Sequence, residues 1–239
     1  MKALVLLSGG NDSTAVMSEV VKKRGRGNVE ALAIYYGQAH DKELESARLV
    51  AEFYDAPFHV YDLAEIFKNS DSALLKGNED QIKDTTYSEQ IDETGGIAPV
   101  NTYVPFRNGL MLSTATAVAI EVGASELYYG AHADDSAGCA YPDCSLEFVH
   151  AMAQAIDHGT AGAVKLKAPI VSRNKAQVLA MALHNGAPMQ YTWSCYKGGE
   201  KQCGVCGTCR DRINAYKLNK KIDPVPYEVE VDWTDCEVI

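Results

Sequence analysis

Six residues, Ser8-Gly9-Gly10-Asn11-Asp12-Ser13, hold two glycines, two hydroxyls and one carboxylate, and they follow an apolar run from Leu4 to Leu7. Between a strand and a helix, such a turn suits an anion. The first N–H groups of a helix lack intrahelical acceptors, and the helix dipole is positive at that end. Gly9 and Gly10 permit a tight turn and close backbone approach to phosphate. Ser8 and Ser13 supply hydroxyl donors. Asp12 is the wrong charge for touching phosphate directly. Three roles remain for it: holding the loop, capping the helix, or reaching a phosphate-bound Mg²⁺. The stretch has neither the Gly-Lys-Ser/Thr ending of a Walker A loop nor the Gly-x-Gly-x-x-Gly spacing of a dinucleotide turn.

A second constellation lies far along the chain. Cys195, Cys203, Cys206 and Cys209 follow a C-x7-C-x2-C-x2-C spacing. Two consecutive C-x2-C steps, with Gly204 and Gly207 between them, put three thiolates on one knuckle; the first cysteine returns across Gly198-Gly199. Four thiolates closing a tetrahedron suit a structural Zn²⁺. An iron–sulfur cluster is the alternative occupant of the same donors. Four protein ligands leave no position for a nucleophilic water, so the expected role of the metal is to tie down the C-terminal segment. Arg210 and Arg212 are expected to offset the negative charge of zinc held by four thiolates.

The elements that position these groups follow from apolar periodicity. Strands are expected over Lys2–Leu7, Val29–Tyr36, Pro57–Leu63 and Glu126–Ala131, with a short one within Val164–Val171. Helices are expected over Ser13–Lys23, Asp41–Tyr54, Arg107–Val122, Leu146–His158, Asn174–Asn185 and Arg210–Asn219. Alternation of the two predicts βαβ units with right-handed crossovers, hence an open parallel sheet with helices on both faces. Lys68–Asn101 is polar, with turns at Lys76-Gly77-Asn78 and Thr94-Gly95-Gly96, and is expected to be a lid or an ordered excursion near the site. Gly186–Cys209 is the cysteine-bearing loop, and residues 220–239 are expected to form an irregular tail. The expected organisation is an α/β nucleotide domain over 1–185 and a zinc-binding segment with tail over 186–239.

Composition narrows the function classes. With 239 residues, 46% hydrophobic content and 23% charged content, the chain is an ordinary globular protein. No apolar run approaches the roughly 20 residues of a membrane span, and the N-terminus does not read as a signal peptide. A net charge of −10 disfavours direct binding of nucleic acid, where phosphate contacts dominate affinity. Seven cysteines, an odd number in a long chain, point to metal-binding or reactive thiols in a reducing cytoplasm and away from a disulfide scaffold.

Ser8-Gly9-Gly10-Asn11-Asp12-Ser13 resembles the PP-loop of the ATP pyrophosphatase (adenine nucleotide α-hydrolase-like) superfamily, a Rossmann-like fold. Further pieces are Tyr36-Gly37-Gln38 with His40, Val104-Pro105-Phe106-Arg107-Asn108, Tyr141-Pro142-Asp143-Cys144, and Ser194-Cys195-Tyr196 through Cys209. Together they resemble the 7-cyano-7-deazaguanine synthase (QueC-like) family over almost the whole chain. The resemblance implies a cytoplasmic ATP-dependent carbon–nitrogen ligase. Its partners would be ATP with Mg²⁺, ammonia and 7-carboxy-7-deazaguanine, and it would form a homodimer. By the same resemblance, Leu7, Ser8, Gly9, Gly10, Asn11, Asp12, Ser13, Thr14, Tyr36, Gly37 and Gln38 would bind ATP. Arg107, Asn108 and Asp143 would bind the substrate, Asp143 by accepting N–H bonds from a guanine-like edge. Asp12, Arg107 and Asp143 form the expected catalytic set, and Cys195, Cys203, Cys206 and Cys209 hold zinc. His40 and His132 lie near the site strands and are expected to be structural. Residues 131–144 depart from the family pattern, which keeps open an enzyme that stops at the amide or uses another nucleophile. A tRNA-thiolating PP-loop enzyme, with Cys139 or Cys144 carrying sulfur, is the rival within the ATP-dependent class. A zinc-ribbon interaction module without turnover is the rival outside it.

Overall fold

Alternation along the first two strands decides the layering. The computed structural model describes residues 1–239 except 94, 96, 97 and 137–139, and omits the side chains of 87, 88 and 136. In β1 (Ala3–Leu6) and the residue after it, Ala3, Val5 and Leu7 enter one core cluster while Leu4 enters the other. In β2 (Val29–Tyr35), Val29, Ala31 and Ala33 join the first cluster, and Leu32 and Ile34 the second. Both faces of each strand are therefore apolar, as a sheet covered by helices on both sides requires.

The helices divide accordingly. α1 (Asn11–Arg24), α2 (Lys42–Phe53), α8 (Lys175–His184) and α9 (Gly207–Leu218) bury Val16, Val50, Leu179 and Tyr216 on the first face. α5 (Arg107–Glu121) and α7 (Leu146–Gly159) cover the second with Leu112, Ala115 and Ile156. Each fully buried Leu contributes about 1.5–3 kcal/mol. Shorter helices are α3 (Ala64–Phe67), α4 (Tyr87–Glu93) and α6 (Ala133–Ser136). Local chemistry sets several starts. Ser145 accepts from the Phe148 N–H to cap α7, and Asn174 and Gln177 form a reciprocal capping box at α8. The remaining strands are β3 (Phe58–Asp62), β4 (Glu126–Tyr128) and β5 (Lys165–Lys167).

All strand pairs are parallel, in the order β3-β2-β1-β4-β5. Ala3 pairs with Val29 on one side and Glu126 on the other, so β1 is where the winding reverses. In open α/β sheets the ligand crevice lies beyond the carboxyl ends of the strands at that reversal. The loop after β1 starts there.

The expected strands and helices are present, with shorter strands and earlier starts for α1 and α9, the latter taking Gly207–Cys209 out of the expected loop. Residues 68–101 are ordered where described. Leu74 and Leu75 sit in the core, and Ala73 and Ile82 pack against the cysteine knuckle. Arg210 donates to the Asp84 carbonyl, and Lys197 pairs with the Asp84 carboxylate at 2.6 Å. The connection is thus clamped to the cysteine segment. The turn expected at 94–96 falls partly outside the described residues. Residues 220–239 hold no helix or strand but are pinned by bridges from Gln202 to Tyr227 and from Lys221 to Glu237. Among the described residues, no helix is long and apolar enough to cross a membrane.

Arg212 ties this segment to the rest. It and Asp223 are fully buried and paired through Nε at 2.5 Å and through a second nitrogen at 2.8 Å. It therefore does not neutralise the cysteine cluster, as its position in sequence suggested. Arg210 stays at the knuckle, where its Nε donates to the Val205 carbonyl. Arg212→Met should leave Asp223 buried without its cation and cost about 3–5 kcal/mol in urea unfolding. Arg212→Met combined with Asp223→Leu should recover part of that loss, because Asn11, Thr192 and Ser194 still lack the guanidinium.

Candidate functional site

The turn between β1 and α1 is held by its own hydroxyls and by two distant segments. Ser13 Oγ accepts from the Ser8 N–H at 3.1 Å and lies 3.0 Å from Ser8 Oγ. Gly9 has φ +84, and a Cβ there would lie 2.4 Å from the Glu43 carbonyl oxygen, so only glycine fits between the turn and α2. Gly130, just past β4, presses against Ser13, where a Cβ would come within 3.3 Å of its Cα. Gly10 is the N-cap of α1, and no side chain caps this end. The N–H groups of the first turn therefore keep their anion-binding capacity.

Asn11 faces away from the turn's mouth. Its Oδ1 accepts from Arg212 at 2.7 Å and from Thr192 Oγ1 at 3.0 Å, and the residue is 3% exposed. Trp193 donates its N–H to the Gly9 carbonyl at 3.0 Å, and its indole donates to the Cys195 carbonyl at 2.8 Å. The turn is fastened from below by the same segment that carries the cysteines.

A pocket opens above it. Its wall includes Leu7, Ser8, Gly10, Asp12, Ser13, Tyr36, Gln38, Arg107 and Asn108 among the residues expected from sequence. Gly9, Asn11, Thr14, Gly37 and Asp143 do not line it. Thr14 is fully buried, and Gly9 and Gly37 shape backbone. Gln38 turns its side chain back to accept from the Tyr36 N–H at 2.9 Å.

Asp143, expected to meet the substrate, is tied to the start of α5. It is 4% exposed, and its carboxylate accepts from the Asn108 N–H at 2.9 Å, capping α5 from a distant segment. Asn108 Nδ2 returns a bond to the Asp143 carbonyl at 3.3 Å. Asp143 therefore fixes the start of α5, where Arg107 stands. Burial and then the Tyr36 and Asp143 groups act on Arg107; the opposing charges prevail and hold its pKa above the usual range. Its guanidinium sits 4.8 Å from the Tyr36 ring centre, and its Nε has no partner among the described residues. It is a cation positioned at the pocket with a donor unused.

Lys175 was not singled out from sequence, yet it lines the same pocket. Its Nζ bonds Asp12 at 2.7 Å and lies 3.3 Å from His132 Nε2. The residue arrives at the start of α8, more than 160 residues from Asp12 in the chain. Only its place in an Asn-Lys-Ala-Gln helix start could have flagged it. Burial would raise the Asp12 pKa, but Lys175 and then His132 outweigh it and hold the carboxyl well below the usual range. Asp12 is thus an anion that orients a lysine beside the phosphate turn. Burial would lower the His132 pKa, but Asp135 and Asp12 overcome it and raise it. His40 packs on Gly198 and edge-on to Trp193.

Cys144 lines the pocket wall, its thiol pushed up chiefly by burial, which leaves it a poor nucleophile. Cys139 lies outside the described residues.

Cys195, Cys203, Cys206 and Cys209 come together. Their sulfurs all lie within 4.8 Å of one another, and all four residues are buried. Backbone N–H groups point at the sulfurs: those of Lys197 and Cys203 at Cys195, and those of Val205 and Cys206 at Cys203, at 3.3–3.5 Å. Buried sulfurs solvated by amide dipoles are what a thiolate metal centre requires, and the donor set fits one tetrahedral ion.

A family model described as queuosine biosynthesis protein QueC matches residues 2–220. A 7-cyano-7-deazaguanine synthase from Caldicellulosiruptor bescii is 40% identical over 237 residues, covering 98% of this chain and 100% of the relative. One from Archaeoglobus fulgidus is 37% identical, covering 94% of this chain and 90% of the relative. Among solved structures, an NH3-dependent NAD synthetase from Campylobacter jejuni superposes with a TM-score of 0.47 at 15% identity, over 80% of this chain and 66% of that one, a likeness too slight to carry an argument.

The raised His132 pKa has a checkable consequence. Its contribution to stability is full below the pKa of an unfolded histidine and is lost as pH rises through the folded value. NMR titration should place the His132 midpoint above that of a free histidine. Lys175→Met, which removes a repelling cation, should raise it further; a midpoint that falls would contradict the charge arrangement.

Proposed function

The chain belongs to the 7-cyano-7-deazaguanine synthase family, and on that premise we propose that this pocket converts 7-carboxy-7-deazaguanine and ammonia into the nitrile, with ATP activating the oxygen each time. The observation that carries the reading is that an uncapped helix start, Ser8 and Ser13, and two pocket cations, Lys175 and Arg107, converge where the winding of the sheet reverses. A negatively charged triphosphate and a carboxylate need that concentration of donors and positive charge.

The residues take the following parts. The turn Ser8–Ser13 binds the pyrophosphate end of ATP, with Lys175 adding a charge held in place by Asp12. Leu7, Tyr36 and the Gly37-Gln38 turn shape the nucleotide side. Arg107 stabilises negative charge on the α-phosphate or the substrate carboxylate. Asn108 and Asp143 set the start of α5, and through it Arg107. Mg²⁺ accompanies ATP and shields its phosphates. The first ATP converts the acid into an acyl-adenylate, which ammonia opens to the amide. The second activates the amide oxygen, and loss of AMP leaves the nitrile. Exclusion of water protects the acyl-adenylate, and the ordered connection over 68–101, which puts Leu74 on the pocket wall, supports that role.

Cys195, Cys203, Cys206 and Cys209 would hold a structural Zn²⁺. When bound, it cross-links the loop before α9 to the first turn of that helix, and Arg212 and Trp193 carry that order to the phosphate turn. The free thiols fit a reducing cytoplasm. The homodimer expected from the resemblance is kept as part of this reading.

Two measurements test this reading. Mass spectrometry after incubation with ATP, Mg²⁺, ammonium and 7-carboxy-7-deazaguanine should find the nitrile, AMP and pyrophosphate. An amide end product would move the assignment to an enzyme that stops one step earlier, and unchanged acid would overturn it. Elemental analysis should find zinc and no iron at one ion per chain. Cys209→Ser should lower both zinc content and thermal stability.

A further inference from the structure

Three carboxylates line the pocket: Asp12, Asp135 and Glu43. Two are engaged. Asp12 is paired with Lys175, and Asp135 lies 3.3 Å from His132 Nε2. Glu43 has no hydrogen-bond or ion-pair partner among the described residues. It stands on the first turn of α2, and its backbone carbonyl is what presses against Gly9 of the phosphate turn. The charged and titratable groups facing it are Arg107 from α5 and Tyr36 from the end of β2. Its neighbour Lys42 turns away, over the Trp193 ring. Lys175, across the pocket, is already held by Asp12.

The reaction needs a base that nothing above supplies. Ammonia attacking an acyl-adenylate becomes a positively charged nitrogen that must lose a proton. The nitrile requires two further N–H protons to leave. Arg107 and Lys175 are held protonated, Asp12 is held ionised by its cations, the Cys144 thiol is pushed out of range, and His132 is buried off the pocket wall between Asp12 and Asp135.

Resting on the reading of the pocket given above, we propose that Glu43 is the proton acceptor of the ammonia-dependent steps. In the first, the nitrogen lone pair forms the C–N bond. The C–O bond to AMP breaks with its electron pair leaving on the phosphate, and Glu43 takes one N–H proton, leaving a neutral amide. In the second, adenylation of the amide oxygen, with loss of pyrophosphate, leaves a cationic imidate. Glu43 accepts one N–H proton to neutralise it. After releasing that proton to water, it accepts the last one as the third C–N bond forms and AMP departs. Burial pushes the Glu43 carboxyl up to about 7, against the smaller opposing pull of Arg107. That value suits a group that must both take and release protons near neutrality.

The test compares wild type, Glu43→Gln and Glu43→Asp in the full-length, metal-loaded protein. Acid-dependent ATP–pyrophosphate exchange reads adenylation, and mass spectrometry reads amide and nitrile, from mildly acidic to mildly alkaline pH. Wild-type amide formation should fall as pH drops below about 7, because Glu43 must be ionised to act. Glu43→Gln should lower the ratio of amide formation to adenylation by about 10²-fold and abolish that acid limb, and Glu43→Asp should restore part of both. The rise caused by deprotonation of ammonium is common to all three proteins. A Gln variant with the wild-type ratio and acid limb overturns the assignment. So does one in which adenylation falls in step with amide formation, which would mark a packing role. If Glu43→Gln does not fold, Glu43→Asp decides by the same ratio and limb. Wild type that performs no acid-dependent exchange would instead sink the function proposed for the pocket.

Discussion

A single buried guanidinium connects the two ends of this chain. Arg212 donates to Asp223 in the tail, to Thr192 and Ser194 in the cysteine-bearing loop, and to Asn11 at the first residue of α1. A fully buried arginine is stable only when its donors are matched, and here the partners come from three separate stretches of chain. The phosphate turn thereby inherits its position from the C-terminal segment. The cysteine knuckle stands one turn before Arg212 on α9, with Cys209 three residues upstream. The knuckle and the turn are thus joined through one buried side chain, although the four cysteines lie outside the pocket wall.

The pocket itself is organised by charge. Cations are fixed at two places, each by a group that does not compete for the ligand. Asp12 holds Lys175 from the side, and Asp143 holds the start of α5 beneath Arg107. Such preorganisation means that little reorientation is left when phosphate arrives. Among the three carboxylates on the pocket wall Glu43 is the exception, with no group bonded to it, and it is the one of the three whose protonation burial moves towards neutrality.

What was legible in the sequence was local in spacing. The turn Ser8–Ser13, the four cysteines and the alternation in β1 and β2 each lie within a few residues or repeat with a fixed period, and each forms as read. Parallel strands joined by helices follow from the same patterns. What was not legible came from tertiary approach. Lys175, Glu43 and Gly130 meet the turn only because β1 lies between β2 and β4 and because α8 packs on α1. Asp143 illustrates the limit from the other side. A carboxylate between Pro142 and Cys144 reads as a substrate ligand, and nothing in its spacing shows that it also satisfies a backbone N–H that α5 leaves open. Arg212 likewise reads as a counter-charge for the adjacent thiolates until its true partner, Asp223, is seen. Neither pairing has a fixed sequence offset to betray it. The long polar connection over 68–101 was recognisable as unusual, yet its clasp on the knuckle through Asp84 depends on Lys197 and Arg210, more than 110 residues further on.

A crystal structure with Mg²⁺ and a non-hydrolysable ATP analogue tests most directly whether the turn after β1 is the phosphate grip. The phosphates should lie against the N–H groups opening α1, within reach of Ser8, Ser13 and the Lys175 ammonium, with Arg212 still bonded to Asn11. Phosphates bound elsewhere, with that turn vacant, would contradict the account.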